Sequence, residues 1–213
     1  DSYSFDVDQA GLDEQYKAHY TAYFRIFGRA GLPVIVVGAD SGMMGGKISH
    51  EYMYLSPIGE DTIITCPACH YTANRQVASF KKVYQSEEMR PMEKVFTPET
   101  KTIDELVAFL KIEKRQTAKS VFMVGTFIDD TNGEEENKLI VGVVRGDLEV
   151  EENKLQNACR ANALRPAHPE EIAEMGMVAG YGSAIGAKEG IVVIVDDSVA
   201  KSNNLVAGAN EWE

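Results

Sequence analysis

Two short stretches of the sequence carry side chains that could do chemistry. Ser49, His50 and Glu51 stand in a row behind residues 42–46, a segment that contains three glycines. Glycine lets the backbone approach a ligand closely, while histidine and glutamate supply a hydrogen-bond donor and a carboxylate. These groups could bind a small substrate that carries an ammonium group, although a lone His-Glu pair in a loop is more often incidental.

The second stretch is Cys66-Pro67-Ala68-Cys69, whose spacing is that of half a zinc site. A structural zinc site takes four ligands, and the sequence has no second pair, since His70 is adjacent and Cys159 is remote. We therefore predict no metal site, and Cys159 is most simply a core residue on a helix. Three cysteines form no disulfide framework, which fits a reducing cytoplasm.

Alternating helices and strands must position these residues. In the first half, apolar residues at spacings of three and four predict a helix over residues 12–30, which Gly31 ends. An apolar run at 32–37 predicts a buried strand directly after that helix. The remaining predictions are strands at 49–55 and 60–66 and a helix at 71–82.

The second half of the chain shows the same mixture. Thr102, followed three residues later by Glu105, is a capping-box pattern that predicts the start of a helix. Apolar strands at 120–127 and 139–144 flank an acidic loop and predict a hairpin. Two further helices at 152–160 and 169–175 and a strand at 190–195 complete the pattern. The predicted fold class is α/β (α+β).

Composition and charge bound the classes of function. The chain has 213 residues, a net charge of -12 and no apolar run near the roughly 20 residues of a membrane helix. We therefore exclude a membrane span, disorder and a general nucleic-acid binder. Residues 61–120 carry 10 basic and 8 acidic side chains, the only third with a positive balance. Candidates for a local phosphate contact are Lys81, Lys82, Lys111, Lys114, Arg115 and Lys119.

The chain begins Asp1-Ser2-Tyr3, without an initiator methionine or a signal peptide. We therefore expect it to be a piece of a longer protein.

Nine stretches resemble bacterial-type prolyl-tRNA synthetase, in the same order along the chain. Those before residue 65 resemble its catalytic part just after class II motif 2, those from 102 to 155 its editing insertion, and the last the return from that insertion. The stretches are DSYSF (1–5), YFRIF (23–27), ADSGMMGGKISHE (39–51), GED (59–61), TIDEL (102–106), KS (119–120), RGD (145–147), KL (154–155) and NLVAGANE (204–211).

The resemblance implies three segments. Residues 1–65 would be part of the antiparallel-sheet catalytic domain, 66–203 a YbaK-like mixed-sheet editing insertion, and 204–213 the return into the catalytic domain. The longer enzyme would be a homodimer that uses ATP and Mg²⁺, whereas the editing domain would need no cofactor. The motif 2 and motif 3 arginines of the family lie outside this sequence, so we expect no adenylation by this chain alone.

The resemblance also assigns site residues. Lys119 matches a lysine of the editing insertion that could bind the terminal adenosine phosphate or orient an ester carbonyl. The Gly-rich loop 180–186 could cradle an aminoacyl ester, although Ala184 replaces the usual proline, and Asp196 would lie near the substrate amine. The alternatives are a strand-edge lysine in water, an ordinary turn and a strand-end cap. The full set is Gly45, Gly46, Ser49, His50 and Glu51 for proline and adenylate, and Lys119, Gly180, Gly182, Ser183 and Asp196 for editing.

The function implied is a second sieve. A pocket for proline cannot strongly reject the smaller alanine, because a missing methylene costs only about 1–3 kcal/mol of discrimination. The insertion would hydrolyse mischarged Ala-tRNA(Pro) at the acceptor end. Residues 66–203 hold only His70 and His168 and no Ser-His-Asp or Cys-His set, so we expect attack by water. The alternatives are a non-catalytic tRNA-end module and, less in keeping with residues 1–5, a free-standing deacylase.

Overall fold

The structure is a computed structural model that describes residues 2–42, 46, 48–84, 86–129 and 131–211. It divides into two compact units, residues 1–79 and residues 80–213. We call them the N-terminal unit and the C-terminal unit. The predicted segment boundaries at 65 and 203 concern an insertion within a longer enzyme rather than compact units, and they stay predictions.

The N-terminal unit opens with the predicted long helix. Helix α1 spans Gln9–Arg29, and the carboxylate of its N-cap, Asp8, accepts the N–H of Gly11 at 2.8 Å. Such a cap satisfies one of the N–H groups that the first helical turn leaves unpaired. After the C-cap, Gly31 takes φ +70°, the left-handed conformation that ends many helices. The predicted helix and its stop are confirmed.

Four strands form a mixed sheet in this unit, in the order β2-β1-β4-β3. Two of its three pairings are antiparallel, as expected, but β1 and β4 pair in parallel at Gly38 and Ala73. The sheet is therefore mixed rather than purely antiparallel. The strands are β1 (Val34–Gly38), β2 (His50–Tyr54), β3 (Ile63–Thr65) and β4 (Thr72–Asn74).

The prediction of a helix over 71–82 is wrong. Thr72–Asn74 is strand β4, residues 75–77 form a turn, and residues 78–82 are irregular. The Thr72 hydroxyl donates to the Val36 carbonyl at 2.9 Å, which ties β4 to β1 in addition to its pairing with β3. These hydrogen bonds come from residues distant in sequence, and they override a weak local preference for helix.

Residues 80–102 of the C-terminal unit are largely irregular, and helix α2 (Ile103–Leu110) follows. Its N-cap is Thr102, and the predicted capping box with Glu105 is confirmed. The Glu105 N–H donates to the Thr102 hydroxyl at 3.2 Å, and the Thr102 N–H donates to the Glu105 carboxylate at 2.9 Å.

A second mixed sheet, in the order β7-β5-β6-β8, is built on the predicted hairpin. Strands β5 (Ala118–Ile128) and β6 (Glu135–Arg145) pair antiparallel along their whole length, and β8 (Val192–Val195) adds to β6 in parallel. The hairpin is confirmed and is longer than predicted. The other elements in the described part of this unit are β7 (Ala163–Pro166), α3 (Glu152–Cys159), α4 (Pro169–Glu174), α5 (Asp197–Ala200) and a 3-10 turn at Lys114–Gln116.

Each face of this sheet carries its own apolar cluster. Successive side chains of a strand point to opposite faces, so Ala118 and Val124 of β5 join a cluster with α4 and the loop that follows it. Val121 and Met123 join a second cluster against α3, which contributes the buried Leu155. The alternation along β5 decides which face each candidate site residue can reach. No helix among the described residues is long and apolar enough to cross a membrane.

Candidate functional site

The Gly-rich loop 180–186 packs directly on strand β5. A Cβ at Gly182 would overlap the ring of Phe122, which belongs to the apolar cluster on that face of the sheet. Gly180 and Gly186 take φ values of +88° and +77°, which side-chain-bearing residues rarely adopt. The glycines are therefore required here, both for the close approach to β5 and for the shape of the loop.

Asn210 holds this loop from the far end of the chain. Its side-chain Oδ1 accepts the N–H of Ser183 at 2.8 Å, while its Nδ2 donates to the carbonyls of Ser183 at 2.9 Å and Ile185 at 3.1 Å. Its own N–H donates to the Tyr181 carbonyl at 3.0 Å. Asn210 has φ +56°, a left-handed conformation that asparagine tolerates better than most residues. One side chain therefore fixes three points of the loop.

The segment before Asn210 is also tightly placed. Val206 forms a parallel bridge with Thr117, and its carbonyl accepts the N–H of Ala118 at 2.8 Å. A Cβ at Gly208 would lie 2.7 Å from the Gly182 carbonyl oxygen, so the two backbones are in direct contact. Residues 206–210 thus pair with the chain just before β5 begins and pack against one side of the loop.

The hydrogen bonds within the loop define what it can still bind. The N–H of Ser183 is taken by Asn210, and the N–H of Ile185 donates to the Ser183 hydroxyl at 3.1 Å. Within the part of the chain that the structure describes, no hydrogen bond uses the N–H of Gly182 or Ala184. Two preset backbone donors can stabilise a negative charge that develops on an ester carbonyl.

Lys119 lies on the other face of the sheet. It shares the α3 side of β5 with Val121 and Met123, and its Nζ pairs with Glu149 at 2.5 Å. The Lys119 side chain is 20% exposed and that of Glu149 is 87% exposed. The structure therefore does not bring Lys119 together with the loop that carries Gly180, Gly182 and Ser183. Its part in chemistry stays a prediction.

Asp196 caps α5 and is held by a lysine. Its carboxylate accepts the Ser198 N–H at 2.9 Å and the Nζ of Lys82 at 2.5 Å. Burial alone would raise the pKa of Asp196, but the hydrogen bonds from Lys82 and Ser198 outweigh it and hold the pKa below its usual range. The strand-end cap, the alternative to a substrate contact, is therefore present in the structure, and contact with a substrate amine is untested.

Comparison with known proteins decides the family. The profile of the aminoacyl-tRNA editing domain matches residues 97–213, more than half of the chain. The chain belongs to the aminoacyl-tRNA editing domain family. The loop, strand β5 and Asn210 all lie within this matched editing domain.

The whole chain, including the N-terminal unit, is similar to part of larger enzymes. It is 47% identical over 211 residues to the proline-tRNA ligase of Salinispora tropica, a match that covers 99% of this chain and 35% of that enzyme. The proline-tRNA ligases of Dehalococcoides mccartyi (strain 195) and Bacillus subtilis are 42% and 40% identical, and the matches cover 99% and 100% of this chain. The chain thus spans about a third of the length of these relatives, 35% and 36% for the last two.

An open cleft of about 460 Å³ lies beside the editing domain's sheet. Arg145, at the end of β6, donates to both carboxylate oxygens of Asp147 at 2.6 and 2.9 Å and to the carbonyl of Val83. The hydrogen bonds to Asp147 and the charge of Asp147 raise the pKa of Arg145, although burial acts against them. The same contacts lower the pKa of Asp147, again against the effect of burial. Arg145 therefore holds the turn before α3. The cleft is lined by Val83, Tyr84, Ser86, Glu87, Glu113, Arg115, Gln116 and Arg145.

The basic candidates for phosphate contact are mostly engaged with carboxylates. Lys82 pairs with Asp196 and Asp197, Lys114 with Asp104 at 2.6 Å, and Arg115 with Glu113 at 2.7 Å. Lys82 is the least exposed of these and is part of the fold rather than a surface cation. Arg115 remains more than half exposed at the rim of the cleft.

The proline-pocket residues belong to the N-terminal unit. His50 opens β2, and its Nδ1 shares a 2.7 Å hydrogen bond with the Tyr16 hydroxyl of α1. The side chain of Glu51 points to the other face of the sheet, where its carboxylate accepts a hydrogen bond from the Nδ2 of the buried Asn74 at 3.5 Å. The structure therefore places His50 and Glu51 on opposite faces of the sheet.

The remaining residues of this set have backbone roles or lie outside the described chain. The Ser49 carbonyl accepts the Ala39 N–H at 3.0 Å, next to the pairing of β1 and β2. Gly46 takes φ +105°, and its carbonyl accepts the Ser41 hydroxyl at 3.4 Å. Gly45 lies outside the described residues.

The sequence did not predict the roles of two residues that hold candidate site residues in place, Asn210 and Lys82. Asn210 belongs to a stretch that resembles the family, and Lys82 is one of the candidates for a local phosphate contact. The signal for Asn210 was its type, because asparagine readily bonds backbone groups and tolerates the left-handed conformation. No local signal pairs Lys82 with Asp196, since more than a hundred residues separate them in the sequence.

Proposed function

We propose that this chain is a segment of a proline-tRNA ligase and that its editing domain hydrolyses the ester bond of mischarged Ala-tRNA(Pro). The observation that carries the proposal is the Gly-rich loop 180–186, held on β5 by Asn210 inside the region that matches the editing family. Three hydrogen bonds from Asn210 hold the backbone of this loop, whose amides could then bind an aminoacyl ester.

The loop's chemistry follows from its donors. As water attacks the ester carbon, negative charge develops on the carbonyl oxygen, and the N–H groups of Gly182 and Ala184 are suited to receive it. One such donor is worth about 2.7–4 kcal/mol in other enzymes that transfer acyl groups. The leaving group is the ribose oxygen of the terminal adenosine, which takes up a proton and releases alanine.

Attack by water without a covalent intermediate fits the residues available in this domain. Its only histidine, His168, is the N-cap of α4, and its backbone N–H donates to Glu171 at 2.8 Å. The cysteine of the domain, Cys159, donates to the Gln156 carbonyl at 3.4 Å and packs against the α3 cluster. The nucleophile would be a water that the loop and the terminal ribose hydroxyl position.

The longer enzyme would ligate proline to tRNA(Pro) in the cytoplasm, as a homodimer, with ATP and Mg²⁺. In it, the N-terminal unit would form part of the class II catalytic domain, with Gly45, Gly46, Ser49, His50 and Glu51 near the proline and adenylate site. The editing domain would use no cofactor. The tRNA acceptor end would approach the rim of the cleft, where Arg115 is exposed.

One experiment tests the hydrolase directly. The full chain is incubated with Ala-tRNA(Pro) and Pro-tRNA(Pro), and the release of each amino acid is followed over time. Faster release of alanine than of proline supports the proposal. Release of alanine at the spontaneous rate would contradict the proposal. Equal release of alanine and proline would exclude discrimination by the size of the amino acid.

A pair of lysine variants sharpens the test. Lys119→Ala removes the candidate cation, while Lys138→Ala removes a lysine of the same hairpin that is also paired with a carboxylate, Glu136 at 2.8 Å. If Lys119 acts on the substrate, only the first variant loses activity. Equal activity of both variants assigns Lys119 to the fold.

A second candidate function is a non-catalytic module that binds the tRNA acceptor end. It is favoured by the positions of Lys119 and Asp196, which are paired with Glu149 and Lys82 rather than directed at the loop. Binding of uncharged tRNA(Pro) without alanine release would select this alternative.

A further inference from the structure

The Cys66-Pro67-Ala68-Cys69 stretch forms the tip of a hairpin in the N-terminal unit. Strand β3 ends at Thr65, which pairs with Thr72 at the start of β4, and residues 67–69 form a turn between them. The N–H of Cys66 donates to the Tyr71 carbonyl at 2.8 Å and closes the loop. Both ends of the stretch are therefore anchored by the hairpin.

Cys66 precedes this turn directly and Cys69 is its last residue, so the two cysteines stand at its two ends. A four-residue turn brings its first and last Cα atoms within about 7 Å, and a disulfide bridges Cα atoms about 4.4–6.8 Å apart. Little backbone movement is needed to join the two sulfurs.

The local surroundings of Cys66 favour its thiolate form. Donation from Cys69 and Ala68 stabilises the thiolate and lowers the pKa of the Cys66 thiol. The thiolate is the form that attacks a disulfide. Cys69 is exposed and Cys66 is partly exposed, so a small oxidant can reach the pair.

A metal is the other ligand that two cysteines at this spacing suggest. Within the described ranges, no three or more His, Cys, Asp or Glu side chains are arranged to hold a metal ion. A structural zinc ion takes four ligands, whereas a disulfide needs only the two sulfur atoms. The hairpin tip satisfies the second requirement and not the first.

We propose that Cys66 and Cys69 form a reversible dithiol-disulfide pair that exchanges with low-molecular-weight disulfides such as oxidised glutathione. The Cys66 thiolate attacks one sulfur of glutathione disulfide and releases one glutathione thiolate. The Cys69 thiolate then attacks the Cys66 sulfur and releases the second. The protein loses two electrons and two thiol protons, the protons pass to the released thiolates, and two molecules of glutathione are formed.

The bridge would act on a hairpin that contacts a candidate site residue. Strand β4 follows the loop directly, and its Asn74 donates to the carboxylates of Glu51 at 3.5 Å and Asp61 at 3.3 Å. Oxidation would fix the loop that begins this strand, and reduction would release it.

The test uses the full chain in glutathione buffers that range from fully reduced to fully oxidised. Remaining thiols are alkylated, and the chain is digested with trypsin and analysed by mass. Cys66 and Cys69 fall together in the peptide of residues 48–75, while Cys159 falls in the peptide of residues 155–160. Cys159 therefore serves as an internal control in every sample.

In oxidising buffer we expect the 48–75 peptide to escape alkylation and to weigh less by two hydrogen atoms, while the 155–160 peptide stays alkylated. Cys69→Ser should trap glutathione on Cys66. The ratio of disulfide-bridged chain to reduced chain should be at least about tenfold higher in the folded protein than in urea, because the turn holds the two cysteines close together. Three results would overturn the proposal: full alkylation of Cys66 and Cys69 in every glutathione buffer, a disulfide to Cys159, or the same ratio of bridged to reduced chain in urea as in the folded protein.

A parallel experiment with zinc distinguishes a metal site from the disulfide pair. The reduced chain is alkylated with and without one equivalent of Zn²⁺, with Cys159→Ser as the matched variant. Unchanged alkylation of Cys66 and Cys69 agrees with the disulfide pair. Full protection by zinc, together with no bridge in oxidising buffer, overturns it.

Discussion

Asn210 and Ser183 exchange two hydrogen bonds, one from the Ser183 N–H to Oδ1 at 2.8 Å and one from Nδ2 to the Ser183 carbonyl at 2.9 Å. The side-chain amide thus pairs with the backbone of the Gly-rich loop as a neighbouring strand would. In the proposed reaction, this pair sets the position of the adjacent N–H groups of Gly182 and Ala184.

Replacement of Asn210 should loosen the loop. Asn210→Gly keeps the left-handed backbone without strain and removes all three side-chain hydrogen bonds. We expect the free energy of unfolding to fall by about 1–3 kcal/mol and the release of alanine from Ala-tRNA(Pro) to fall roughly tenfold or more. Urea unfolding and deacylation kinetics measure the two effects.

Asn132→Gly serves as the control for Asn210, because it changes an asparagine in the turn of the β5–β6 hairpin. It should leave deacylation unchanged. Equal losses in both variants would mean that Asn210 has no special relation to the loop.

Gly182 and Phe122 should show coupled effects. Gly182→Ala places a methyl group where the Phe122 ring lies, which we expect to cost about 1–3 kcal/mol of stability. Phe122→Leu removes the overlapping ring atoms, so the double variant should be more stable than the sum of the single changes predicts. A double-mutant cycle by urea unfolding measures this coupling.

Gly208→Ala provides the contrast for that cycle. Its Cβ would meet the backbone carbonyls of Tyr181 and Gly182, which cannot rotate away. Phe122→Leu should not rescue it. Rescue of Gly208→Ala to the same extent would contradict the packing of residues 206–210 against the loop.

Lys82 should stabilise the C-terminal unit in a pH-dependent way. Its Nζ lies 2.5 Å from carboxylate oxygens of both Asp196 and Asp197, and its side chain is only 17% exposed. Lys82→Met removes the cation that the two carboxylates share and leaves Asp197 with its longer ion pair to Lys201 at 3.4 Å. The expected cost is about 1–3 kcal/mol near pH 7. Lys81→Met, which changes an exposed neighbour, should have little effect.

The sign of that pH dependence follows from the carboxylates. Hydrogen bonds from Lys82 and Tyr84 lower the pKa of Asp197, and the hydrogen bonds from Lys82 and Ser198 outweigh burial to lower that of Asp196. A lowered pKa adds stability that is present above the unfolded value, about 3.9, and is lost as the pH falls through the folded value. The gap between wild type and Lys82→Met should therefore shrink in acid, and a constant gap would contradict the ion pair.

The Glu171 carboxylate should also contribute stability that is lost in acid. Arg165 donates to both of its oxygens at 2.6 and 2.8 Å, and with the N–H of His168 this lowers its pKa from 4.5 to about 2. Glu171→Gln should lower the melting temperature at pH 7, and the difference should vanish as the pH falls from 4.5 towards 2. Glu170→Gln, one residue earlier in α4, should show no such narrowing.

Features that depend on neighbouring residues were predicted correctly. The α2 capping box joins Thr102 and Glu105 within a single turn, and the β5–β6 hairpin follows from apolar strands around a polar loop. Helix α1 and its stop at Gly31 follow in the same way from spacing and from one backbone conformation. In each case the interacting groups are close in sequence, so the pattern of residue types carries the result.

Features that depend on residues distant in sequence were not predicted correctly. The predicted helix at 71–82 is a strand and irregular chain because Thr72–Asn74 pairs with β3 and with Gly38 of β1. The family resemblance named Lys119 beside the loop residues, yet the alternation along β5 puts it on the opposite face from Phe122 and the loop.

The sequence by itself determined the α/β class, the family and the Gly-rich loop, because these rest on residue types at short spacing. Only the tertiary structure decided that Asn210 holds that loop, that Lys82 neutralises Asp196, and that His50 and Glu51 point apart. The physical reason is that a hydrogen bond or an ion pair acts over about 3–4 Å in space. Nothing in the local pattern records which distant residue the fold brings within that reach.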